Sequence, residues 1–172
     1  MSKLTALAVS IAVLGGIWAY LALAPFGMGD GDAELLVWVG FIAWGCYFHT
    51  GGDDAALQKT IVGMIYGAVI AGVALFLVGM NPLGLPGAVG PAVYIAATVF
   101  LLVIAASQTL LSVVPANVYG YAVTAAYALQ TSDAGSVTAL DLSNPVLLIA
   151  LSTVIGALFG VASAKLAGAI GQ

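Results

Sequence analysis

The chain has 172 residues, 63% of them hydrophobic and only 6% charged, with a formal net charge of −4. Soluble domains carry roughly 25% charged and about 45–50% apolar residues, so the polar surface here is too small to coat a water-exposed globule and the chain belongs in a lipid bilayer. Three lysines without an arginine exclude a phosphate-neutralising nucleic-acid surface, and a single cysteine, Cys46, inside an apolar run excludes a disulfide framework.

A backbone in lipid satisfies itself only as helices or a closed barrel, and a helix needs roughly 20 mostly apolar residues to cross about 30 Å of hydrocarbon. The long, unalternating runs predict an all-α, polytopic transmembrane helix bundle forming one domain over residues 1–172. About six spans are expected, at Leu4–Leu23, Glu34–Tyr47, Ile61–Met80, Val89–Ala106, Leu110–Leu129 and Asn144–Gly168. The first run exceeds the 7–15 residues of a signal-peptide core and reads as a true first helix. The second and fifth are the weakest of the six, and the fifth either spans or is re-entrant.

With six crossings and a cytoplasmic N-terminus, Lys3, Lys59 in the loop after the second span, and Lys165 all fall on the cytoplasmic side. Asp30, Asp32, Glu34, Asp133 and Asp141 fall on the other. Both termini are then cytoplasmic in a multi-pass membrane protein. Gly, Pro, Asn and Asp punctuate the connections 25–32, 81–87 and 131–145. Asn144 before Pro145 predicts an N-cap with proline at the first helical position. Asp53 and Asp54 suit the start of the third helix, where the helix N-terminus favours anions. Trp18, Tyr20, Trp38 and Tyr47 fall near span ends and read as headgroup-level anchors, whereas Trp44 sits deeper and reads as packed inside.

Helices in lipid associate through small residues and interhelical hydrogen bonds. Ser152, Gly156, Gly160, Ala164 and Gly168 recur every four residues on the last helix, and Gly63, Gly67 and Ala71 do so on the third. Gly63, Gly67, Gly156 and Gly160 are therefore packing positions, either within the chain or between subunits, and a homo-oligomer is expected.

Pumps, voltage sensors and proton-coupled transporters hold ionisable groups in mid-membrane, and this sequence places none there. It likewise shows no nucleophile with a base, no spaced metal-ligand cluster and no phosphate-cradling loop, so no enzyme, no cofactor and no metal site is expected. Two polar features remain. The first is YFHTGGDD, where Phe48, His49, Thr50, Gly51 and Gly52 form either a pore mouth or a helix C-cap leading into an N-cap. The second is SQTLLSVVPANVYGYA, where Pro115 is expected to break the fifth helix and leave backbone groups near Leu111 and Ser112 needing substitutes. Broken helices at membrane depth line cavities or solute sites. Gln108, Thr109, Ser112, Pro115, Asn117 and Tyr119 are then candidates for a solute pathway, an ordinary proline kink being the alternative.

GGIWAYLAL at Gly15–Leu23, the aromatic-plus-GG ending around Phe48–Gly52, and LLSVVPANVYGYAVTAAYA with Pro115, Tyr119 and Gly120 resemble a bacterial inner-membrane family designated domain of unknown function 1097. The resemblance extends to the final Gly-rich helix. It implies a membrane fold and carries no activity or substrate, and it does not imply a role for His49. The function expected is a passive channel or facilitator for a small neutral polar solute, urea- or ammonia-like, whose selectivity comes from pore diameter and neutral donors and acceptors. The alternative is a non-transporting accessory subunit of a larger membrane complex.

Overall fold

The computed structural model of the chain describes residues 1–23, 35–131 and 136–171. The connection 25–32, the carboxylates Asp30, Asp32, Glu34 and Asp133, and Gln172 lie outside the described residues. Six α-helices account for most of the rest: α1 (Lys3–Leu23), α2 (Val37–Thr50), α3 (Asp54–Met80), α4 (Val89–Ile104), α5 (Val114–Gln130) and α6 (Pro145–Ile170). Two single 3₁₀ turns, Ala105–Ser107 and Thr109–Leu111, join α4 to α5. No strand occurs among the described residues.

Four of the helices are long and apolar enough to cross a membrane: α1, α3, α4 with its following turn, and α6. At 1.5 Å per residue the 14 residues of α2 reach about 21 Å and the 17 of α5 about 26 Å, both short of the roughly 30 Å of a hydrocarbon core. Large apolar side chains stand open along the long helices, Leu4 at 78% and Phe100 at 66% exposure. An apolar face of this kind is stable only against lipid or another apolar surface.

Local chemistry sets the ends. Asp53 Oδ1 accepts the Ala56 N–H at 2.7 Å, and the Ala, Leu, Gln and Lys that follow are good helix formers. Accordingly α3 begins seven residues before the expected Ile61, which places Lys59 on the helix rather than in a loop. Asn144 caps α6 as expected: its Oδ1 accepts the Val146 N–H, and its Nδ2 donates to the carbonyls of Val137 and Ala139, all at 2.9 Å. Between α3 and α4, Asn81 adopts a left-handed φ of 43°. Its amide exchanges two hydrogen bonds with the Leu85 backbone and its Oδ1 accepts from the Tyr94 hydroxyl, so the short connection is tied down at three points.

The chain forms two compact units, Met1–Ile61 with Leu151–Gln172, and Val62–Ala150. In the first, α2 lies against α6 at glycine. A Cβ on Gly156 would come within 2.3 Å of the Gly40 Cα, and one on Gly40 within 2.5 Å of the Trp18 indole. Trp18 is fully buried, donates from Nε1 to the Val37 carbonyl at 2.9 Å and packs 5.7 Å from the Phe159 ring. Trp44 is buried too and donates to the Ser163 hydroxyl at 2.9 Å, which itself donates to the Gly160 carbonyl. Two expected anchors are thereby corrected. Trp18 and Tyr47 are core residues, because the small side of Gly40 and Gly160 leaves room for a ring; Tyr20 and Trp38 are the exposed ones.

In the second unit α3 lies against α5. A Cβ on Gly120 would fall 1.8 Å from the Met64 carbonyl oxygen, and one on Gly67 2.0 Å from that of Asn117. Backbones in contact at this range give the dispersion attraction that lipid cannot supply. Polar ties accompany it: the Tyr66 hydroxyl donates to the Leu101 carbonyl at 2.9 Å, and Thr98 and Tyr121 hydroxyls meet at 3.2 Å.

Candidate functional site

The junction between α4 and α5 breaks the helix in two steps. After the turn Ala105–Ser107, Gln108 is extended at φ −84° and ψ 138°; the turn Thr109–Leu111 follows, and α5 starts at Val114. Pro115 occupies the first turn of α5, where its missing N–H has no intrahelical partner to lose. The break thus lies near Pro115 as expected, at Ser112–Val113 on its N-terminal side. The proline begins the helix and does not interrupt it.

Backbone near Leu111 does need a substitute partner, and Asn117 supplies one: its Nδ2 donates to the Leu111 carbonyl at 2.9 Å. Asn117 itself has no exposed surface, and its Oδ1 has no hydrogen-bond partner. That oxygen lies 2.8 Å from where a Cβ of Gly63 would stand, so it occupies space that only glycine leaves open. An unpaired buried acceptor costs about 1–3 kcal/mol. The other expected pathway residues do not gather around it. Gln108, Thr109, Ser112, Pro115 and Tyr119 are all exposed, and the Ser112 hydroxyl turns back to the Thr109 carbonyl at 2.8 Å.

The segment after α2 is a C-cap by geometry. Gly51 and Gly52 take φ of 131° and 71° and return their N–H groups to the carbonyls of Phe48 and Tyr47. The Tyr47 hydroxyl donates to the Gly52 carbonyl, Phe48 packs against Tyr47, and His49 is exposed. No group of three or more metal-ligating side chains occurs among the described residues. The four packing glycines are all occupied by neighbouring helices of this chain: Gly63 and Gly67 by α5, Gly156 by Gly40, and Gly160 by Tyr47 and Trp44.

Elsewhere among the described residues, buried polar side chains are serines, threonines and asparagines with no charged group among them. One such group escaped the sequence reading. Thr153 on α6 is fully buried and its hydroxyl has no partner; in sequence it is one hydroxyl beside another, Ser152, which is bonded to the Leu36 N–H. A cleft of ≈ 320 Å³ lies along Val69, Phe76, Thr138, Val146 and Leu147; its Asn144 amide is spent on the α6 cap. In the loop before α6, hydrogen bonds from the Ser143 hydroxyl and N–H hold the Asp141 carboxyl below its ordinary value.

The sequence matches the family described as "Protein of unknown function (DUF1097)" over residues 8–168. No curated protein and no solved structure matches it.

Proposed function

As the chain belongs to the DUF1097 family, which is described only as of unknown function, its activity must be argued from its own groups, and we propose a passive, non-catalytic facilitator of small neutral polar solutes. The observation that carries this reading is the character of the buried polar groups: neutral throughout the described helices, with an amide oxygen at a helix break left without a donor. A neutral acceptor in an apolar surrounding discriminates by hydrogen bonding and not by charge. Solutes with N–H donors and no net charge, of the urea or ammonia type, suit it. A coupled ion would need a fixed counter-charge in mid-membrane.

The accessory-subunit alternative rested on the glycine stripes as docking faces. Those faces are filled by the chain's own helices, so a docking role would have to use other surfaces. The positive-inside pattern supports both termini on the cytoplasmic side, the family resemblance suggests a bacterial inner membrane, and a homo-oligomer would have to form through faces other than those glycines.

The test is stopped-flow light scattering of proteoliposomes under urea gradients, with ammonia entry followed by an internal pH dye. Protein-containing vesicles are expected to exceed empty ones for at least one of these solutes while remaining tight to Na⁺ and K⁺. Permeability equal to that of empty vesicles for both solutes overturns the reading.

A further inference from the structure

The two compact units divide the chain at unusual places. One boundary falls inside α3, between Ile61 and Val62, and the other inside α6, between Ala150 and Leu151. These two boundaries are 89 residues apart (150 − 61), and the same offset relates the helices themselves. In 21 of the 25 positions from Ala56 to Met80, the residue 89 further on is buried, half-buried or exposed to the same degree. Helical periodicity alone does not produce this match. One heptad further along, at an offset of 96, agreement falls to 10 of the 20 positions from Ala56 to Leu75.

The same offset carries chemistry. Gly67–Ala68 on α3 corresponds to Gly156–Ala157 on α6, and both glycines lie where two helix backbones come together, against Asn117 and Gly40. Their partners correspond too, at an offset of 80: Gly40 on α2 meets Gly156, and Gly120 on α5 meets the α3 backbone one turn before Gly67. An aromatic follows each partner glycine, Phe41 and Tyr121, and a tyrosine lies seven residues on, Tyr47 and Tyr127. Neighbouring contacts repeat as well. The Leu36 N–H reaches Ser152 in one unit; in the other their counterparts Ala116 and Gly63 are in contact. The first helices agree at an offset of 84, with AVSIA at 8–12 against AVYIA at 92–96 and buried Ala6, Ser10 and Trp18 against Gly90, Tyr94 and Leu102.

We propose that the chain is a tandem duplication of one three-helix unit, α1–α2–α3 followed by α4–α5–α6, in which each copy gives the greater part of its third helix to the other copy's second. Three helices per copy is an odd number, so when each helix crosses, the second copy begins its path from the opposite face of the membrane to the first. Inverted repeats of this kind underlie many transport folds, so the inference adds to the facilitator reading without depending on it.

The test uses the full chain with Cys46→Ala and single cysteines at equivalent exposed or half-buried helix starts. Ser2→Cys and Pro86→Cys form one pair, Asp54→Cys and Ser143→Cys the other. A membrane-impermeant maleimide applied to right-side-out and inside-out vesicles is expected to label the members of each pair from opposite faces, with Ser2 and Asp54 sharing a face. Labelling of either pair from a single face overturns the inversion. A leucine scan over 56–80 and 145–169, read as yield of monodisperse protein, separates duplication from a mere count of six crossings. The two profiles are expected to correlate best at an offset of 89; a maximum elsewhere, or none, overturns the duplication. Either result stands whether or not vesicles prove permeable to urea or ammonia.

Discussion

Replacing Gly120 by alanine puts one methyl group into the closest helix contact of the second unit. Its Cβ would lie 1.8 Å from the Met64 carbonyl oxygen, 2.6 Å from the carbonyl carbon and 2.7 Å from the Cα. All three are backbone atoms, so no side chain can rotate away, and α3 and α5 must part by more than about 1 Å to restore ordinary contact. Overpacking of this kind costs typically 1–3 kcal/mol, and separation also weakens dispersion along the whole crossing. Against that stands a gain of about 0.8–1.0 kcal/mol from replacing an interior helix glycine. The expected net is a loss of roughly 1–2 kcal/mol or more. Gly16→Ala and Gly45→Ala are the controls, because nothing lies within 4 Å of a Cβ at either position; both should be neutral or slightly stabilising. Thermal unfolding of purified protein in one detergent, followed by circular dichroism and by the fraction remaining monodisperse, ranks the three. Gly120→Ala matching the controls would refute the backbone contact from which the loss is calculated.

Four further outcomes follow from the same contacts. Gly156→Ala is expected to destabilise comparably to Gly120→Ala, since its Cβ would meet the Gly40 backbone at 2.3 Å; a neutral effect in the same assay would contradict the α2–α6 packing. A double-mutant cycle of Trp44→Phe and Ser163→Ala should give a coupling of about 0.6 kcal/mol, the order found for hydrogen bonds between membrane helices, and strict additivity would deny the Trp44 Nε1 bond to Ser163. Asn117→Leu should lower both stability and any solute flux, because it removes the Nδ2 bond to Leu111 together with the unpaired oxygen; full stability with unchanged flux argues against both roles. Asp141, exposed and hydrogen-bonded by Ser143, has a depressed folded-state pKa. Its contribution is present above the unfolded-state value and is lost as pH falls through the folded one, so Ser143→Ala, which removes the hydroxyl bond and keeps the N–H bond, should raise the carboxyl part of the way toward the ordinary range in an NMR titration.

Much of the site was legible in the residues. SVVPANVYG announces a helix break because proline cannot continue a preceding helix and asparagine can serve an open carbonyl, and the structure puts both in those positions. The side of the break was not legible. Whether Pro115 interrupts a helix or begins one depends on where Ser112 and Val113 leave helical backbone, and that depends on Asn117 reaching Leu111 from the next turn. Nor could spacing show that Tyr119 points away from Asn117's surroundings, or that Thr153, and not its neighbour Ser152, lacks a partner: Ser152 is satisfied by a backbone N–H 116 residues earlier in the chain.

By itself the sequence determines that this protein is helical and suited to lipid, because apolar content and unbroken run length admit few other ways to satisfy the backbone. It also sets two helix starts, since Asp53 and Asn144 cap backbone N–H groups within a few residues. Only the tertiary structure decides which small residues meet. Gly40 and Gly156 are 116 residues apart, and a glycine carries no side chain to advertise its partner. It decides too that Trp18 is core and not an anchor, because a ring's depth depends on the cavity opposite it. The repeat emerges at the same level: burial, set by contacts between distant segments, keeps a record at offset 89 that residue identity has largely lost.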